Sequence, residues 1–321
     1  MESTRYLIVG GGMTAAAACK GIREHDADGR IVLVGDDPHA PYARPPLSKK
    51  LWSGGLEEKI WRGTEELADL KLGRRIERID VDAHTAVDDE GTEYSWEKLL
   101  LATGGRPRRL GGEQDGVVYF RTLDDYRRLR EVAGDGTRAV VIGGGFIGSE
   151  LAAALVTNGC AVTMVFPEPS VCWRVLPGEL AEFVTGYYRE HGVEVLAGET
   201  VAGVGPDAVR TGSGAELAAD VVVAGLGLVP ATELAEAAGL TVENGIVVDD
   251  HGRVPGHDDV FAAGDVAQFP IPLLGRSGRI EHEDHANSHG RAVGANMAGA
   301  DEPYDHLPFF YSDMFDLGYE A

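Results

Sequence analysis

The 321-residue sequence predicts an α/β protein with two doubly wound domains. Three observations support this fold class. A glycine-rich turn near the N-terminus joins a short apolar strand to an alanine-rich helix, and the same plan recurs in the middle of the chain. Several other apolar runs end at glycine, as buried parallel strands do. Two such units in one chain are far rarer by chance than one, so we expect two related domains.

The first unit begins with the apolar run Arg5–Val9, which predicts a buried strand. The turn Gly10–Ala15 follows, and the alanine-rich stretch Ala16–Arg23 predicts a helix. A second apolar strand, Ile31–Val34, ends just before Asp36. This order is a βαβ unit of about 30 residues.

The second unit repeats the first element by element. Ala139–Ile142 predicts a strand, Gly143–Gly148 is the turn, and Ser149–Val156 predicts a helix. The next strand, Val162–Phe166, is followed by Pro167 and Glu168. We expect this unit to fold like the first.

Further strands are predicted outside the two units. Ala83–Tyr94 alternates in the manner of antiparallel strands around a Glu90-Gly91 turn. Three apolar runs predict separate strands that stop at glycine-containing turns: Lys98–Ala102, Asp220–Ala224 and Val260–Asp265.

Charge and cysteine usage restrict the class of function. The chain has 52 acidic and 29 basic side chains, a formal charge of −23, which disfavours nucleic acid and anionic membrane surfaces. Cys19, Cys160 and Cys172 form no close pair, so neither a redox dithiol nor a zinc site is predicted. No secretory leader and no apolar run of about 18 residues is present. We expect a soluble, cytoplasmic protein without a membrane span.

The second glycine turn fits the dinucleotide-binding pattern Gly-x-Gly-x-x-Gly. Its first glycine allows the tight turn, its second lets a diphosphate approach the backbone, and its third lets helix and strand pack closely. Gly143, Gly145 and Gly148 occupy these three positions. The N–H groups and dipole at the helix N-terminus would then hold the diphosphate.

The first turn fits the same pattern with one substitution. Gly10 and Gly12 occupy the first two positions, and Ala15 takes the third, which the pattern tolerates. A carboxylate, Asp36 or Glu168, follows each turn about 20–25 residues later, where it would bind the adenosine ribose. The alternative for either carboxylate alone is a solvated loop residue. Their matching positions favour ribose binding.

Glu168 also bears on the choice of nicotinamide cofactor. A carboxylate at this position repels a 2′-phosphate, and the next arginine along the sequence is Arg174. The sequence therefore favours NADH over NADPH.

These residues together resemble the two-dinucleotide flavoprotein reductases, to which Ala102-Thr103-Gly104 and Ala263-Gly264-Asp265 also point. Tyr42–Lys49 stands where disulfide reductases carry their cysteine pair, and it resembles the ferredoxin-reductase and apoptosis-inducing-factor branch. Four further segments point to the apoptosis-inducing-factor-like side of that branch: Gly143–Glu150, Phe166–Glu168, Glu281–Ala286 and Phe310–Asp313.

The resemblance implies an FAD site. Asp36 would bind the FAD ribose, and Arg44 would contact the diphosphate or ribityl region. Asp265 would hold a ribityl hydroxyl, just before a helix whose positive end faces the flavin pyrimidine. The other predicted FAD-binding residues are Gly10, Gly12, Thr14, Ala15, Lys49, Ile76, Ala102, Thr103, Gly104, Arg108, Gly264, Glu281, His282, Ala286 and Tyr311.

The resemblance also implies an NADH site and a catalytic pair. Lys49 would lie beside the reactive edge of the isoalloxazine and pair with Glu150, while Phe146 would shield the nicotinamide. The alternatives are a surface position for Lys49 and core packing for Phe146. The predicted NAD-binding residues are Gly143, Gly145, Phe146, Ile147, Glu150, Phe166, Glu168, Gly225, Leu226 and Gly227.

In domain terms, the resemblance implies two Rossmann-like, glutathione-reductase-type domains of three layers, with the NAD domain inserted in a discontinuous FAD domain. We assign residues 1–112 and 245–308 to the FAD domain and residues 113–244 to the NAD(H) domain, with Gly111–Gly116 and Glu243–Gly245 as crossing points. Residues 309–321 would begin a C-terminal domain that is absent or truncated, which would leave Phe309–Tyr311 without support.

The predicted function is FAD-dependent NADH oxidation, with electrons passed to a ferredoxin, a rubredoxin or a quinone. The missing cysteine pair argues against a disulfide substrate. The alternative is an NADH-responsive flavoprotein of the apoptosis-inducing-factor type, which signals by conformation with little turnover. The oligomeric state stays open.

Two groups of side chains have simpler interpretations. His282, His285 and His289 lack a zinc-like spacing, so we predict helix-face residues at the domain interface and no metal site. A basic stretch could dock an acidic partner or could be a solvated face, and we favour the solvated face: Arg106, Arg108, Arg109, Arg121, Arg127, Arg128 and Arg130.

Overall fold

The computed structural model describes residues 1–112, 116–307 and 309–320. The chain forms two compact units, and each is built from three separate segments. Unit 1 comprises Met1–Ala43, Glu58–Gly105 and Pro230–Phe310. Unit 2 comprises Arg44–Glu57, Arg106–Val229 and Tyr311–Ala321. Part of the predicted crossing loop Gly111–Gly116, residues 113–115, lies outside the described residues.

The α-helices are α1 Met13–His25, α2 Leu123–Val132, α3 Phe146–Thr157, α4 Gly178–Glu190, α5 Glu233–Ala237 and α6 Glu283–Met297. The first strands are β1 Glu2–Val9, β2 Ile31–Gly35, β3 Asp69–Leu72, β4 Ile76–Asp80, β5 Thr85–Asp88, β6 Glu93–Leu101, β7 Gly105–Pro107, β8 Val117–Tyr119, β9 Arg138–Ile142, β10 Ala161–Phe166 and β11 Glu194–Ala197. The remaining strands are β12 Val201–Val204, β13 Ala208–Thr211, β14 Glu216–Ala218, β15 Val221–Ala224, β16 Leu228–Pro230, β17 Ile246–Val247, β18 Val260–Ala262, β19 Ala267–Ile271, β20 Arg276–Gly278, β21 Tyr311–Met314 and β22 Leu317–Glu320.

The main sheet of unit 1 has the order β3-β2-β1-β6-β5-β4, and β18 also pairs with β6. Strands β1, β2, β3, β6 and β18 pair in parallel, whereas β4, β5 and β6 pair antiparallel. Successive residues of β1 enter different cores: Leu7 joins one apolar cluster, and Ile8 joins the cluster formed with α1 and α6. The sheet is therefore buried on both faces, as the predicted three-layer arrangement requires.

One sequence prediction was wrong in the centre of this sheet. The runs Ala83–Tyr94 and Lys98–Ala102 were expected to be separate, but β6 is one strand from Glu93 to Leu101. Its first residues pair with β5, and its last residues lie between β1 and β18. The pattern of exposed and buried residues changes along β6 because its neighbouring strands change. In the sequence alone, this change resembles a boundary between two strands.

Helices α1 and α6 pack so closely that only glycine fits at their crossing. A Cβ atom on Gly21 would lie 2.0 Å from the Arg291 carbonyl oxygen. A Cβ on Gly294 would lie 2.2 Å from the Ala18 carbonyl oxygen. The segment that carries α6 is thereby fixed against α1, the first helix of the chain.

Unit 2 contains a parallel sheet of order β11-β10-β9-β15-β8 and a three-stranded antiparallel sheet of order β12-β13-β14. Strands β21 and β22 form an antiparallel hairpin. The predicted βαβ units are present, but both helices begin earlier than expected: α1 begins at Met13 and α3 at Phe146. The reason is that each helix starts directly after the second glycine of its turn, so the last turn residues are already helical. Within the described residues, no helix is long and apolar enough to cross a membrane.

Candidate functional site

The turn after β1 requires glycine at its first position, and the space beside its second glycine is open. Gly10 has φ +125°, and a Cβ atom there would lie 2.2 Å from the Ala102 carbonyl oxygen. Gly12 caps α1 with φ −94° and without a side-chain hydrogen bond, and apart from its chain neighbours nothing lies within 4 Å of where its Cβ would be. The helix N-terminus therefore faces space that a diphosphate could fill.

Predicted FAD-binding residues surround this turn at the carboxyl ends of unit 1 strands. A Cβ on Gly264, which follows β18, would lie 2.2 Å from Oγ1 of the buried Thr14. Thr103, which follows β6, donates from Oγ1 to the Ala231 carbonyl at 2.8 Å. Asp36 is exposed just after β2, where Gly35 packs on the turn. Ligands of doubly wound sheets bind at this edge.

The turn after β9 has the same geometry. Gly143 has φ +114°, and a Cβ there would lie 2.3 Å from the Gly225 carbonyl oxygen. A Cβ on Gly148 would lie 2.0 Å from the Gly143 carbonyl oxygen. Gly145 caps α3 with φ −84°, and again nothing apart from its chain neighbours lies within 4 Å of its Cβ position. Each unit thus carries one cradle that fits a dinucleotide diphosphate.

Glu168 follows β10. In the folded chain it forms an ion pair that its sequence position did not predict. Arg174 lies with its guanidinium 2.7 Å from Glu168 Oε1, and its side chain is 80% exposed. Arg174, the next arginine along the sequence, is therefore a direct neighbour of Glu168 in the folded chain. The carboxylate assigned to the NADH ribose carries a cation beside it.

The predicted pair of Lys49 and Glu150 is present and buried within unit 2. Lys49 Nζ lies 2.8 Å from Glu150 Oε1, with side-chain exposures of 12% and 4%. Ser48 donates from Oγ to Glu150 Oε2 at 2.6 Å, and Ser312 donates from Oγ to Oε1 at 2.7 Å. Lys49 Nζ also lies 4.9 Å from the centre of the Tyr311 ring. The pair is brought together as expected, and its catalytic role stays a prediction.

The sequence analysis did not predict two of these contacts, the hydrogen bonds from Ser48 and Ser312 to Glu150. Ser48 directly precedes Lys49, so its proximity could have been noticed. Ser312 is 162 residues from Glu150 and gave no signal. The expectation that Phe309–Tyr311 lacks support is wrong for Tyr311, because Tyr311 pairs with Glu320 in the β21–β22 hairpin and contacts Lys49.

Other predicted residues occupy varied environments. Arg44 donates from Nη1 to the Arg121 carbonyl at 3.0 Å. Ile76 is buried in the unit 1 core, and the buried Phe166 ring lies 2.8 Å from where a Gly144 Cβ would be. These two side chains pack inside their units. Arg108 is exposed, and its backbone N–H donates to the Gly227 carbonyl at 2.9 Å.

The helix expected directly after Asp265 is absent, which corrects the prediction. Gly264–Val266 is a single 3-10 turn, and strand β19 follows it. Ala267, Phe269 and Ile271 all join the same apolar cluster of unit 1, which is the every-second-residue spacing of a strand and not the spacing of a helix. The next α-helix is α6, and its N-cap is His282, whose ring stacks on Phe310 at 4.9 Å. Glu281, just before it, pairs with Arg279 at 2.7 Å.

Two of the three histidines, His285 and His289, lie on α6 and are buried. His285 Nδ1 lies 3.1 Å from the Tyr304 hydroxyl, and His289 Nδ1 accepts from the Gly264 N–H at 3.2 Å. Burial lowers the pKa of His285 to about 4 and holds the pKa of His289 well below its usual value. Both rings are therefore neutral near pH 7. His289 contacts a residue of the predicted FAD site through the Gly264 backbone.

Unfolding should become easier as the pH falls from 6.5 to 4. In that interval the unfolded His285 binds a proton and the folded one does not, so stability is lost on acidification. The loss for this group is about 3 kcal/mol on the scale of 1.36 kcal/mol per pKa unit. Nearby Asp265 and Asp284 oppose this shift, while His282 and His306 add to it.

Urea denaturation of the FAD-loaded protein across this pH range measures the effect. His285→Gln should flatten the pH dependence, whereas His25→Gln, at an exposed position of α1, should leave it unchanged. Equal slopes for wild type and His285→Gln would contradict the assignment.

Three arginines of the basic stretch make side-chain contacts within unit 2. Arg127 forms ion pairs with Glu57 and Asp124. The Arg130 guanidinium lies 5.3 Å from the Trp52 ring centre, and that of Arg109 lies 4.7 Å from the Tyr119 ring centre. These contacts explain the positions of three of the arginines without invoking an acidic docking partner.

Each unit has a set of parallel strands with a glycine cradle at a helix N-terminus and a carboxylate after the next strand, and these features define a protein with two dinucleotide-binding units. The chain belongs to the pyridine nucleotide-disulphide oxidoreductase family, whose family model matches residues 4–290. The predicted family, the α/β fold class and the oxidoreductase class are thereby confirmed. Membership also confirms the two kinds of predicted cofactor, FAD and a nicotinamide dinucleotide.

Individual relatives cover most of the chain. The ferredoxin–NAD(+) reductase component of the Burkholderia cepacia anthranilate 1,2-dioxygenase system is 39% identical over 98% of this chain and 81% of its own length. Apoptosis-inducing factor 1 of Dictyostelium discoideum is 31% identical over 100% of this chain and 68% of its own. The putidaredoxin reductase–putidaredoxin complex matches with TM-score 0.93 and 33% identity, covering 100% of this chain and 81% of the solved one.

Proposed function

We propose that this chain is an FAD-dependent NADH oxidoreductase that passes electrons to a ferredoxin. The observation that carries this proposal is the pair of open cradles at Gly12 and Gly145, one in each unit. The three cysteines, Cys19, Cys160 and Cys172, are free and buried, which supports an acceptor other than a disulfide. The same cysteine usage supports a cytoplasmic location.

The residues of the chain would divide the work between the two units. We assign FAD to the cradle of unit 1, with Asp36 on its ribose, and NADH to the cradle of unit 2, with Glu168 on its ribose. The N-termini of α1 and α3 would hold the two diphosphates. FAD held there would supply the capacity to accept a hydride and to release its electrons one at a time.

Lys49 would supply positive charge close to the flavin. Its ammonium is held by Glu150 in a site largely shielded from water, where a fixed charge acts more strongly than in solution. Glu150 in turn keeps the lysine from being buried without a partner. The pair would thus favour the electron-rich form of the cofactor.

The ferredoxin acceptor rests on the relatives. The Burkholderia relative is a ferredoxin–NAD(+) reductase component, and the solved relative is in complex with putidaredoxin. Rubredoxins and quinones are the alternative acceptors, and the same assay tests them.

Anaerobic rapid mixing of the FAD-loaded protein with NADH tests the proposal. We expect loss of the flavin's visible absorbance, followed by reoxidation and many turnovers when a [2Fe–2S] ferredoxin is added. A persistent charge-transfer band with negligible turnover to ferredoxin, rubredoxin or quinone would contradict it. That outcome would favour conformational signalling of the apoptosis-inducing-factor type.

Arg174 should limit the preference for NADH. Glu168 repels a 2′-phosphate, but the Arg174 guanidinium beside it can donate to one. In Arg174→Ala, kcat/KM for NADPH should fall roughly tenfold, the value of one charge-assisted hydrogen bond, while kcat/KM for NADH changes little. Steady-state assays with both coenzymes measure this ratio, and Arg210→Ala, at an exposed position of β13, is the charge-matched control. An unchanged ratio in Arg174→Ala would show that the arginine takes no part in coenzyme selection.

A further inference from the structure

Glu150 receives donors from three separate segments of unit 2. The carboxylate lies on α3 and is 4% exposed. Lys49 and Ser312 both donate to Oε1, at 2.8 and 2.7 Å, and Ser48 donates to Oε2 at 2.6 Å. A carboxylate removed from water in this way needs such partners to compensate for its lost hydration.

The two hydroxyls restrain the carboxylate in a way that Lys49 alone does not. A single contact to Oε1 leaves the carboxylate plane free to rotate about its last side-chain bond, a broad torsion in glutamate. The Ser48 contact fixes the second oxygen, and Ser312 fixes the oxygen that Lys49 shares. The direction in which Glu150 holds the ammonium is therefore set by both serines.

The environment of Ser312 supports this function. Its side chain is fully buried, and its hydroxyl donates to Glu150. The preceding residue, Tyr311, places its ring 4.9 Å from Lys49 Nζ. Strand β21 thus contacts both members of the ion pair through adjacent residues.

We propose that Ser48 and Ser312 are positioning residues that fix the Lys49 ammonium through Glu150. The inference rests on the proposed function, because it gives the serines a part in hydride transfer to FAD. Removing one hydroxyl leaves Glu150 buried but less restrained, and Lys49 follows it. Displacements of about 1 Å at a reacting centre can lower a rate by about 100-fold, so a partial release should have a clear effect.

Kinetics of the FAD-loaded protein supply the first test. In Ser312→Ala, the limiting rate of flavin reduction by NADH should fall roughly tenfold while the Kd for NADH stays constant. Ser312→Thr keeps the hydroxyl and should recover most of the rate. Ser48→Ala should resemble Ser312→Ala. Thr211→Val is the control variant: it removes a buried hydroxyl that hydrogen-bonds to Ser213 and not to Glu150, and it should leave the rate unchanged.

Two further readouts separate positioning from simple destabilisation. The flavin midpoint potential, measured with reference dyes and without NADH, should become more negative in Ser312→Ala. In the FAD-free protein, an amine-reactive reagent should label Lys49 faster in Ser312→Ala than in wild type, as located by mass spectrometry. Thermal unfolding shows whether Thr211→Val loses comparable stability without these changes.

The outcomes distinguish the two proposals. Wild-type protein that NADH does not reduce would overturn the proposed function, and the potential and the labelling would still test the serines. If Ser312→Ala keeps the wild-type rate, potential and Lys49 labelling, the positioning role is wrong. It is also wrong if Ser312→Thr fails to restore any of them.

Discussion

Replacing Gly10 with alanine is expected to abolish FAD retention. Gly10 has φ +125°, and its new Cβ would lie 2.2 Å from the carbonyl oxygen of Ala102 and 2.6 Å from its carbon. Both are backbone atoms at the end of β6, so no side chain can move aside. The combined clash and backbone strain should cost about 3 kcal/mol or more and displace the turn from the diphosphate.

Gly12→Ala is the matched comparison, since the same methyl group is added two residues away. Gly12 has an ordinary φ, and apart from its chain neighbours nothing lies within 4 Å of its Cβ position. The FAD-free protein should therefore keep its melting temperature, while FAD affinity falls because the methyl group enters the diphosphate space. FAD content after purification, FAD titration and thermal unfolding of the FAD-free form measure both variants. Wild-type FAD affinity in Gly10→Ala would contradict the geometry of the cradle.

Replacing Glu150 with alanine should combine a large loss of stability with a large loss of activity. It leaves the partly buried Lys49 without its counter-charge and the Ser48 and Ser312 hydroxyls without their acceptor. Removing one partner of a buried ion pair costs about 3–5 kcal/mol. With Lys49 no longer held, flavin reduction by NADH should slow by about 100-fold.

A double variant distinguishes these two effects. Lys49→Met combined with Glu150→Leu replaces the pair by apolar side chains, so it should recover much of the stability and none of the rate. Urea denaturation and rapid-mixing kinetics measure the two quantities on the same preparations. If Glu150→Ala loses less than about 1 kcal/mol, the pair behaves like a surface ion pair and the assignment fails.

Local signals made much of the fold predictable. The strand, glycine turn and helix of each βαβ unit lie within about 30 residues, and each glycine has a specific steric task. The sequence therefore predicted both cradles and the family. Asp36 and Glu168 follow at a spacing that the unit itself imposes.

Contacts between distant segments were not predictable in this way. Ser312 reaches Glu150 across 162 residues, and nothing near either residue indicates the other. Arg174 reaches Glu168 because the chain turns back after β10. The burial of His285 and His289 depends on the packing of α6 on the rest of unit 1. These contacts join residues that are distant in the sequence and share no local pattern.

The close packing of α1 on α6 has a consequence for biosynthesis. The alanine-rich face of α1, including Ala15 and Ala18, leaves the ribosome long before its partner helix is made. At translation rates of about 5–20 residues per second, the delay is on the order of tens of seconds. During that time the part of α1 that packs on α6 is without its partner helix, although β1 and β2 are already made. Cofactor loading must then be a late, post-translational event, and cells short of FAD should accumulate full-length apoprotein rather than arrested fragments.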